Sequence, residues 1–330
     1  MNRWNDFVQT ISAPRFRRAL RWLFYVALLS GFYVAARSLP WRGVLHAMSD
    51  ASPAWLAVAA LINALGLPLW AAQWFQLAPR EGRQSFWMFV EIAAVVGAIQ
   101  NTLTSVGGGA SAIVLLISRG GLSRGEAVSL YAMDQVLTGI GKILVVGLAV
   151  LLLPLPAWHA AKWLALSLVI ATLIVAALVG VNLLMPASSS SRGMNRIVNF
   201  LRAQVTVFTP FVIRASGWPL ALVAVRKATE IATGVAVQWA CGIPVSIGAA
   251  TAIIAATDLA SVIPTTPGSI GVFEAATLFV YGFFGISPAL ALSAAFLQHA
   301  AHLLPAIGIG YAVLLFKALP SERTSSAARE

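Results

Sequence analysis

The chain sets Glu91, Asp134, Lys142, Arg226, Lys227, Glu230 and Asp258 inside long apolar stretches, and Glu274 in an apolar segment interrupted by proline and glycine. An ionised side chain facing hydrocarbon costs about 3 kcal/mol on insertion scales. Such groups must pair, lose their charge or line a wet cavity. Arg226 and Glu230 are four residues apart and Lys227 and Glu230 three apart, spacings that put side chains on one helix face. Pairing there leaves one cation over, which suits an anionic headgroup or phosphate through charge-assisted hydrogen bonds; purely structural pairing is the competing reading. Asp134 and Lys142 lie two turns apart on one span and read as glue between helices. Asp258 precedes the Pro264 break, and Glu91 stands near its counterpart position, so the two acids are candidates for coupling protons or ions. His299 and His302, beside Gln298, read as satisfied interior histidines, because two ligands alone make a weak metal site. No nucleophile elbow, phosphate-binding loop or paired metal motif occurs in the sequence. Neither catalysis nor a cofactor is expected.

These residues must be positioned by membrane-embedded helices. The chain is 59% hydrophobic and 10% charged, with a mean hydropathy of +0.84, whereas a soluble domain carries roughly 25% charged residues. The net charge of +11 comes from arginines scattered at the ends of apolar runs, not clustered with stacking aromatics. That pattern argues against nucleic acid and for membrane topology. The single cysteine, Cys241, reads as a packing residue. Helical spans are expected at Leu20 to Ala36, Ala54 to Leu77, Phe86 to Leu103, Ala127 to Leu153, Ala161 to Met185, Trp218 to Cys241, Val245 to Ile263 and Ala289 to Phe316. Arg15, Arg17, Arg18 and Arg21 before the first span resemble a signal peptide, but Arg37 directly after it favours an uncleaved span. Thr104 to Ser118 opens on Gly107-Gly108-Gly109, and Pro264 to Phe284 opens on Pro264-Thr265-Thr266-Pro267-Gly268. Both openings disfavour a helix, so each segment is expected to be broken or re-entrant.

The fold class expected is an all-α, polytopic integral membrane helix bundle of one transmembrane domain over 1–330. A shift of 164 residues lays Gly107 on Gly271, Gly121 on Gly285, Ser123 on Ser287 and Ala127 on Ala291. It also lays broken segment on broken segment, as a duplication would leave, with repeat 1 at about 20–153 and repeat 2 at about 161–316. If both broken segments cross, Arg80, Arg83, Arg119, Arg124 and the arginines from Arg192 to Arg214 fall on one side with both termini. Arg37, Arg42 and Lys162 fall on the other. The crossing model therefore satisfies the positive-inside rule, makes the repeats inverted and puts the termini in the cytoplasm of a bacterial inner membrane. Between the halves, 186–217 reads as a connecting loop with an amphipathic surface helix over Met194 to Arg214. A polar tail follows at 321–330.

The run Pro264-Thr-Thr-Pro-Gly-Ser-Ile-Gly-Val-Phe-Glu274, followed by Gly285-Ile-Ser-Pro-Ala-Leu-Ala and a last span containing Pro305, resembles the signature of the lysylphosphatidylglycerol synthase transmembrane family. Asn101 through Gly107-Gly108-Gly109 to Arg119, with Asp134 following, is similar to that family's first motif. This chain departs from it at Ser105, Gly109, Ala112 and Gln135. The resemblance carries over Asn101, Gly107, Gly108, Asp134, Pro264, Pro267, Gly268, Gly271 and Glu274 as site positions. It implies flippase-like handling of a membrane lipid, phospholipid or isoprenoid, with a polar or charged head, and a likeness to hopanoid-biosynthesis-associated membrane proteins. The soluble aminoacyltransferase domain of the synthases does not follow Glu330, so aminoacylation is not expected. Asp258 and Glu274 would tune or couple the site and Arg226 or Lys227 would meet phosphate, with Glu230 as the local counter-ion. The rival reading is a non-transporting scaffold that supplies lipid precursors to a biosynthetic enzyme partner.

Overall fold

In hydrocarbon a backbone amide has no water to bond, so spanning chain must satisfy itself within helices. The computed structural model describes residues 37, 39–81, 83–103, 105–153, 217–244, 246–261 and 266–318, and among them every regular element is helical. The expected spans at Leu20 to Ala36 and Ala161 to Met185, the Met194 to Arg214 helix, Pro264 and the polar tail lie outside the described residues. The helices are α1 Trp41–Asp50, α2 Pro53–Ala64, α3 Gly66–Leu77, α4 Phe86–Thr102, α5 Ser105–Ser118, α6 Arg124–Leu152, α7 Trp218–Ala240, α8 Ile247–Ala260, α9 Val272–Phe283 and α10 Pro288–Ala318.

Among the described residues, three stretches are long and apolar enough to cross a bilayer: Pro53–Leu77, where α2 runs into α3, Arg124–Leu152 and Pro288–Lys317. Helix α7, with 23 residues, matches them in length but carries Arg226, Lys227 and Glu230. Helices α4, α5, α8 and α9 have 17, 14, 14 and 12 residues. At about 1.5 Å per residue all four fall short of a hydrocarbon core of about 30 Å.

These short helices form two hairpins. A Cβ on Gly108 would stand 3.1 Å from the Gln100 Cα, a contact that an eight-residue separation along one helix forbids, so α5 folds back on α4. Helix α8 likewise returns through the Pro267–Ser269 turn into α9, against which it packs. The full spans expected at Phe86 to Leu103 and Val245 to Ile263 are thus arms of hairpins. Because a hairpin returns the chain to the face it left, Arg80, Arg83, Arg119 and Arg124 still share one end of the bundle, as the crossing model required.

The hairpins enter from opposite ends. Ser52 N–H donates to the Ala240 carbonyl at 2.8 Å, and Gly248 lies against the Leu152 carbonyl. The start of α2, the ends of α6 and α7 and the start of α8 therefore share one end, called here the first face. Lys317, at the far end of α10, pairs with Glu91 near the start of α4, which places the entry of hairpin α4–α5 at the second face. Ser293 on α10 holds the Val44 carbonyl of α1 at the first face. Exposed tryptophans mark both interfaces: Trp41, Trp55 and Trp239 at the first, Trp87 and Trp218 at the second. Glycine closes the contacts within the bundle. A Cβ on Gly310 of α10 would stand 2.3 Å from the Ala94 carbonyl of α4, so only glycine lets these backbones approach so nearly.

Candidate functional site

The two hairpin tips meet inside the bundle. Gly268, with φ +60, sits so close to hairpin α4–α5 that a Cβ there would lie 2.9 Å from the Asn101 carbonyl. Positive φ at Gly268, Ser269 (φ 59) and Gly271 (φ +87) turns the chain sharply after Pro267, a path that side chains resist and glycine permits. Glu274 braces the turn: its carboxylate accepts the Gly271 N–H at 2.6 Å and faces His299 Nδ1 at 2.6 Å. His299 Nε2 in turn meets the Gly268 carbonyl at 2.8 Å, and Phe273 stacks on the ring. A carbonyl only accepts, so Nε2 carries hydrogen, and one proton must occupy the Nδ1–carboxylate contact. At the other tip, Asn101 Nδ2 donates to the Gly97 carbonyl.

Beside the tips lies a cavity of about 600 Å³, bounded by α2, α3, α4, α6, α7, α10 and both hairpin turns. Gln100 and Asn101 line it from one tip, Ser261, Thr266, Gly268 and Ser269 from the other, and Asp134, Lys142, Arg226 and Glu230 supply charge. Pro305, inside α10, lines it as well. Asp134 is only 1% exposed and is held by neutral donors: Trp70 Nε1 at 2.9 Å, Gln73 Nε2 at 3.0 Å and Gln135 Nε2 at 3.1 Å. Trp74 Nε1 faces the same carboxylate from beyond hydrogen-bond geometry.

Lys227 is 6% exposed and bridges two carboxylates, Glu230 Oε2 at 2.7 Å and Asp258 Oδ2 at 2.8 Å. Lys142 approaches Asp258 at 3.8 Å and donates to Ser261 Oγ at 2.8 Å. These contacts tie α6 and α7 to the first arm of hairpin α8–α9. Arg226 differs. Its guanidinium donates to Thr138 Oγ1 at 3.1 Å and lies 6.0 Å from the Trp70 ring centre, and among the described residues it forms no ion pair. It is the cation left over, facing the cavity with donors to spare.

The structure brings Asn101, Asp134, Arg226, Glu230 and Gly268 to the cavity wall, with Lys227 and Asp258 paired at its edge. Several expectations need correction. Gly107, Gly108 and Gly109 do not stop a helix; they lie within α5, and the break comes before them at Leu103. Gly108 and Gly109 serve close packing against Gln100 and Tyr131, away from the cavity. Lys227 is committed to two carboxylates, where the surplus cation beside Glu230 was read as either Arg226 or Lys227. Asp134 and Lys142 join helices through separate neighbours rather than to one another, Asp134 to Trp70 and Gln73 of α3 and Lys142 to Asp258 of α8 and the adjoining Ser261. Glu91 pairs with Lys317 far from Asp258. Glu274, Pro267 and Gly271 shape the tip rather than line the cavity, and Pro264 lies outside the described residues. His299 is a satisfied interior histidine, whereas His302 Nε2 meets no protein partner among the described residues.

Several residues of the site escape a search for charges. Trp70 and Gln73, three apart, share a face of α3; Thr138 follows Asp134 by one turn; Ser261 follows Asp258 by three. Polar residues spaced at a helical turn from an intramembrane charge are the signal that would have found them.

The family model for the lysylphosphatidylglycerol synthase TM region matches residues 19–310. No curated protein matches the chain. The chain belongs to the lysylphosphatidylglycerol synthase transmembrane family, a membrane family tied to lipid handling, and the matched region is not itself a catalytic domain.

Proposed function

We propose that this member of the lysylphosphatidylglycerol synthase transmembrane family carries the anionic headgroup of a membrane lipid between leaflets through the cavity at the hairpin tips. One observation carries the reading: two hairpins entering from opposite ends touch, Gly268 on Asn101, beside a charged cavity where Arg226 forms no ion pair among the described residues. Moving a phosphate through hydrocarbon is costly, and a polar crevice that offers Arg226 a partner lowers that cost while acyl chains remain in the bilayer. Displacement of one tip would open the cavity to one face and displacement of the other to the opposite face, the requirement of alternating access.

The element bounds support an inverted duplication. The 164-residue offset carries Pro53–Leu77 onto 217–241, against α7 at Trp218–Ala240, and Arg124–Leu152 onto 288–316, against α10 at Pro288–Ala318. Each such pair runs in opposite directions between the two faces. Sidedness follows from charge. Arg80, Arg83, Arg119, Arg124 and Lys317 gather at the second face and Arg42 stands at the first, which makes the second face cytoplasmic in a bacterial inner membrane.

The test is reconstitution of the purified chain into phosphatidylglycerol vesicles bearing fluorescent phospholipid in one leaflet. The expected result is protein-dependent exchange that quencher added outside reveals. Leaflet distributions that match protein-free vesicles for labelled phospholipids and isoprenoid phosphates would defeat the reading and favour the scaffold alternative, in which the chain delivers lipid to an enzyme.

A further inference from the structure

Away from the cavity, unpaired buried polar groups are concentrated on one seam. Tyr281 and Thr277 on α9 and Gln298 on α10 are 0% exposed, and the Tyr281 hydroxyl, the Thr277 hydroxyl and both polar atoms of the Gln298 amide hydrogen-bond to no protein group among the described residues. His302 Nε2, one turn beyond Gln298, is buried and unpartnered too. Apolar residues would fill these positions at no cost, whereas each unpaired buried group forfeits its hydration.

The groups form a series. At the first-face end, Gln238 of α7 holds Ser246 at the start of α8, its Oε1 accepting the Ser246 N–H at 2.8 Å, and the Tyr281 hydroxyl approaches Gln238 without reaching hydrogen-bond geometry. Thr277 lies one turn inward on α9, then Gln298 and His302 on α10. On α7, Gly234 stands one turn from Gln238 and from Glu230; a Cβ there would meet Gln298 Nε2 at 3.2 Å, so glycine keeps the seam open. His302 Nδ1 contacts the Gln298 carbonyl at 2.8 Å. A carbonyl cannot donate, so Nδ1 carries the hydrogen and Nε2 of the neutral ring offers a lone pair into the seam. His302 lies within electrostatic reach of Glu230 and Lys227 on α7 and of His299 on its own helix. Glu274 of α9 faces it only through His299, and Asn63 of α2 bonds its carbonyl. Glu91 of α4 and the charges of α1 are at the ends of α10.

We infer that this seam is a hydrated proton path from the first face to the ionic cluster, with His302 as its relay and Glu230, on the cavity wall, as the group that hands the proton on through the cavity toward the second face. Water held by the Tyr281, Thr277 and Gln298 groups passes a proton to His302 Nε2, giving the imidazolium. The imidazolium returns that proton to the Glu230 carboxylate and regains its neutral tautomer. Glu230 thereby loses its charge and releases Lys227, one of the ties on hairpin α8–α9. The coupling of this path to transport rests on the lipid-translocation reading; the path itself does not.

The test uses the full chain in phosphatidylglycerol vesicles that hold a pH-sensitive dye, under an imposed pH gradient with the potential clamped by valinomycin and potassium. Translocation of fluorescent phosphatidylglycerol is followed in parallel. Wild type is expected to pass protons above protein-free vesicles, and Thr277→Val, which keeps shape, and Gln298→Leu to lower that flux about tenfold, while Gln298→Glu, still polar, retains it. Wild-type flux equal to that of protein-free vesicles, or flux unchanged in Thr277→Val and Gln298→Leu, overturns the path. If lipid still crosses in that case, the translocation reading stands alone. Proton flux with the expected variant pattern but no lipid movement keeps the path and removes the translocation reading.

Discussion

Arg226 and Lys227 are adjacent in the chain, yet their environments assign them opposite roles. Lys227 neutralises Glu230 and Asp258 in the interior, so removing its charge strands Glu230 and leaves Asp258 only the longer contact to Lys142. Lys227→Met should destabilise the protein by about 3–5 kcal/mol, and adding Asp258→Asn should recover part of that loss, as read from unfolding in dodecylmaltoside. A Lys227→Met protein as stable as wild type would show that the pairs do not form. Arg226 has no carboxylate within ion-pair distance among the described residues, and its charge faces Asp134 and Glu230 from farther off. Arg226→Gln should therefore cost less stability than Lys227→Met and slow phospholipid translocation about tenfold, since one charge-assisted contact in a low dielectric is worth that much. The ionisable set itself was legible in the sequence because charge inside an apolar run is costly. The Lys227–Glu230 pair was legible too, from its three-residue spacing; the pairs with Asp258 were not, because Asp258 on α8 meets Lys227 of α7 and Lys142 of α6, contacts that only packing creates.

At the scale of elements, proline and glycine carried unequal information. Pro267 and Gly268 do mark a break, and the positive φ at Gly268 and Gly271 shows why those residue types stand there. The run Gly107-Gly108-Gly109 looked equivalent and is helical, because within a packed hairpin the gain from close approach to Gln100 and Tyr131 outweighs glycine's low helix propensity. Each glycine contact is testable. Gly310→Ala places a methyl group 2.3 Å from the Ala94 carbonyl and should cost roughly 1–3 kcal/mol by forcing α10 from α4. Gly282→Ala, in α9, meets nothing within 4 Å and should be neutral. Equal melting temperatures for the two variants would refute this packing. For the brace at the second tip, Glu274→Gln can still accept from Gly271 and face His299, whereas Glu274→Ala loses both contacts; translocation should fall markedly only in the alanine variant.

For the whole molecule, helical membrane character was plain from composition. The hairpins were harder to read: a 17-residue apolar helix such as α4 and a true span look alike in hydropathy, and only its fold back onto α5 separates them. Sidedness is open to direct measurement. In a Cys241→Ser background, Arg119→Cys should react with an impermeant maleimide from the cytoplasmic side of oriented inner-membrane vesicles, and Asp50→Cys from the periplasmic side of intact cells. Labelling of both from one side would reverse or abolish the inverted arrangement.

The central claim is that headgroups pass where the two hairpin tips touch, and a reversible lock on that contact tests it most directly. Asn101→Cys with Thr266→Cys, one residue from each tip at the cavity wall and both outside the positive-φ turn, in the Cys241→Ser background, should be joined by a short bis-methanethiosulfonate, whose disulfide links are cleaved on reduction. Reconstituted into vesicles, the crosslinked protein should lose phospholipid translocation and regain it on reduction. Undiminished translocation by fully crosslinked protein would contradict the account.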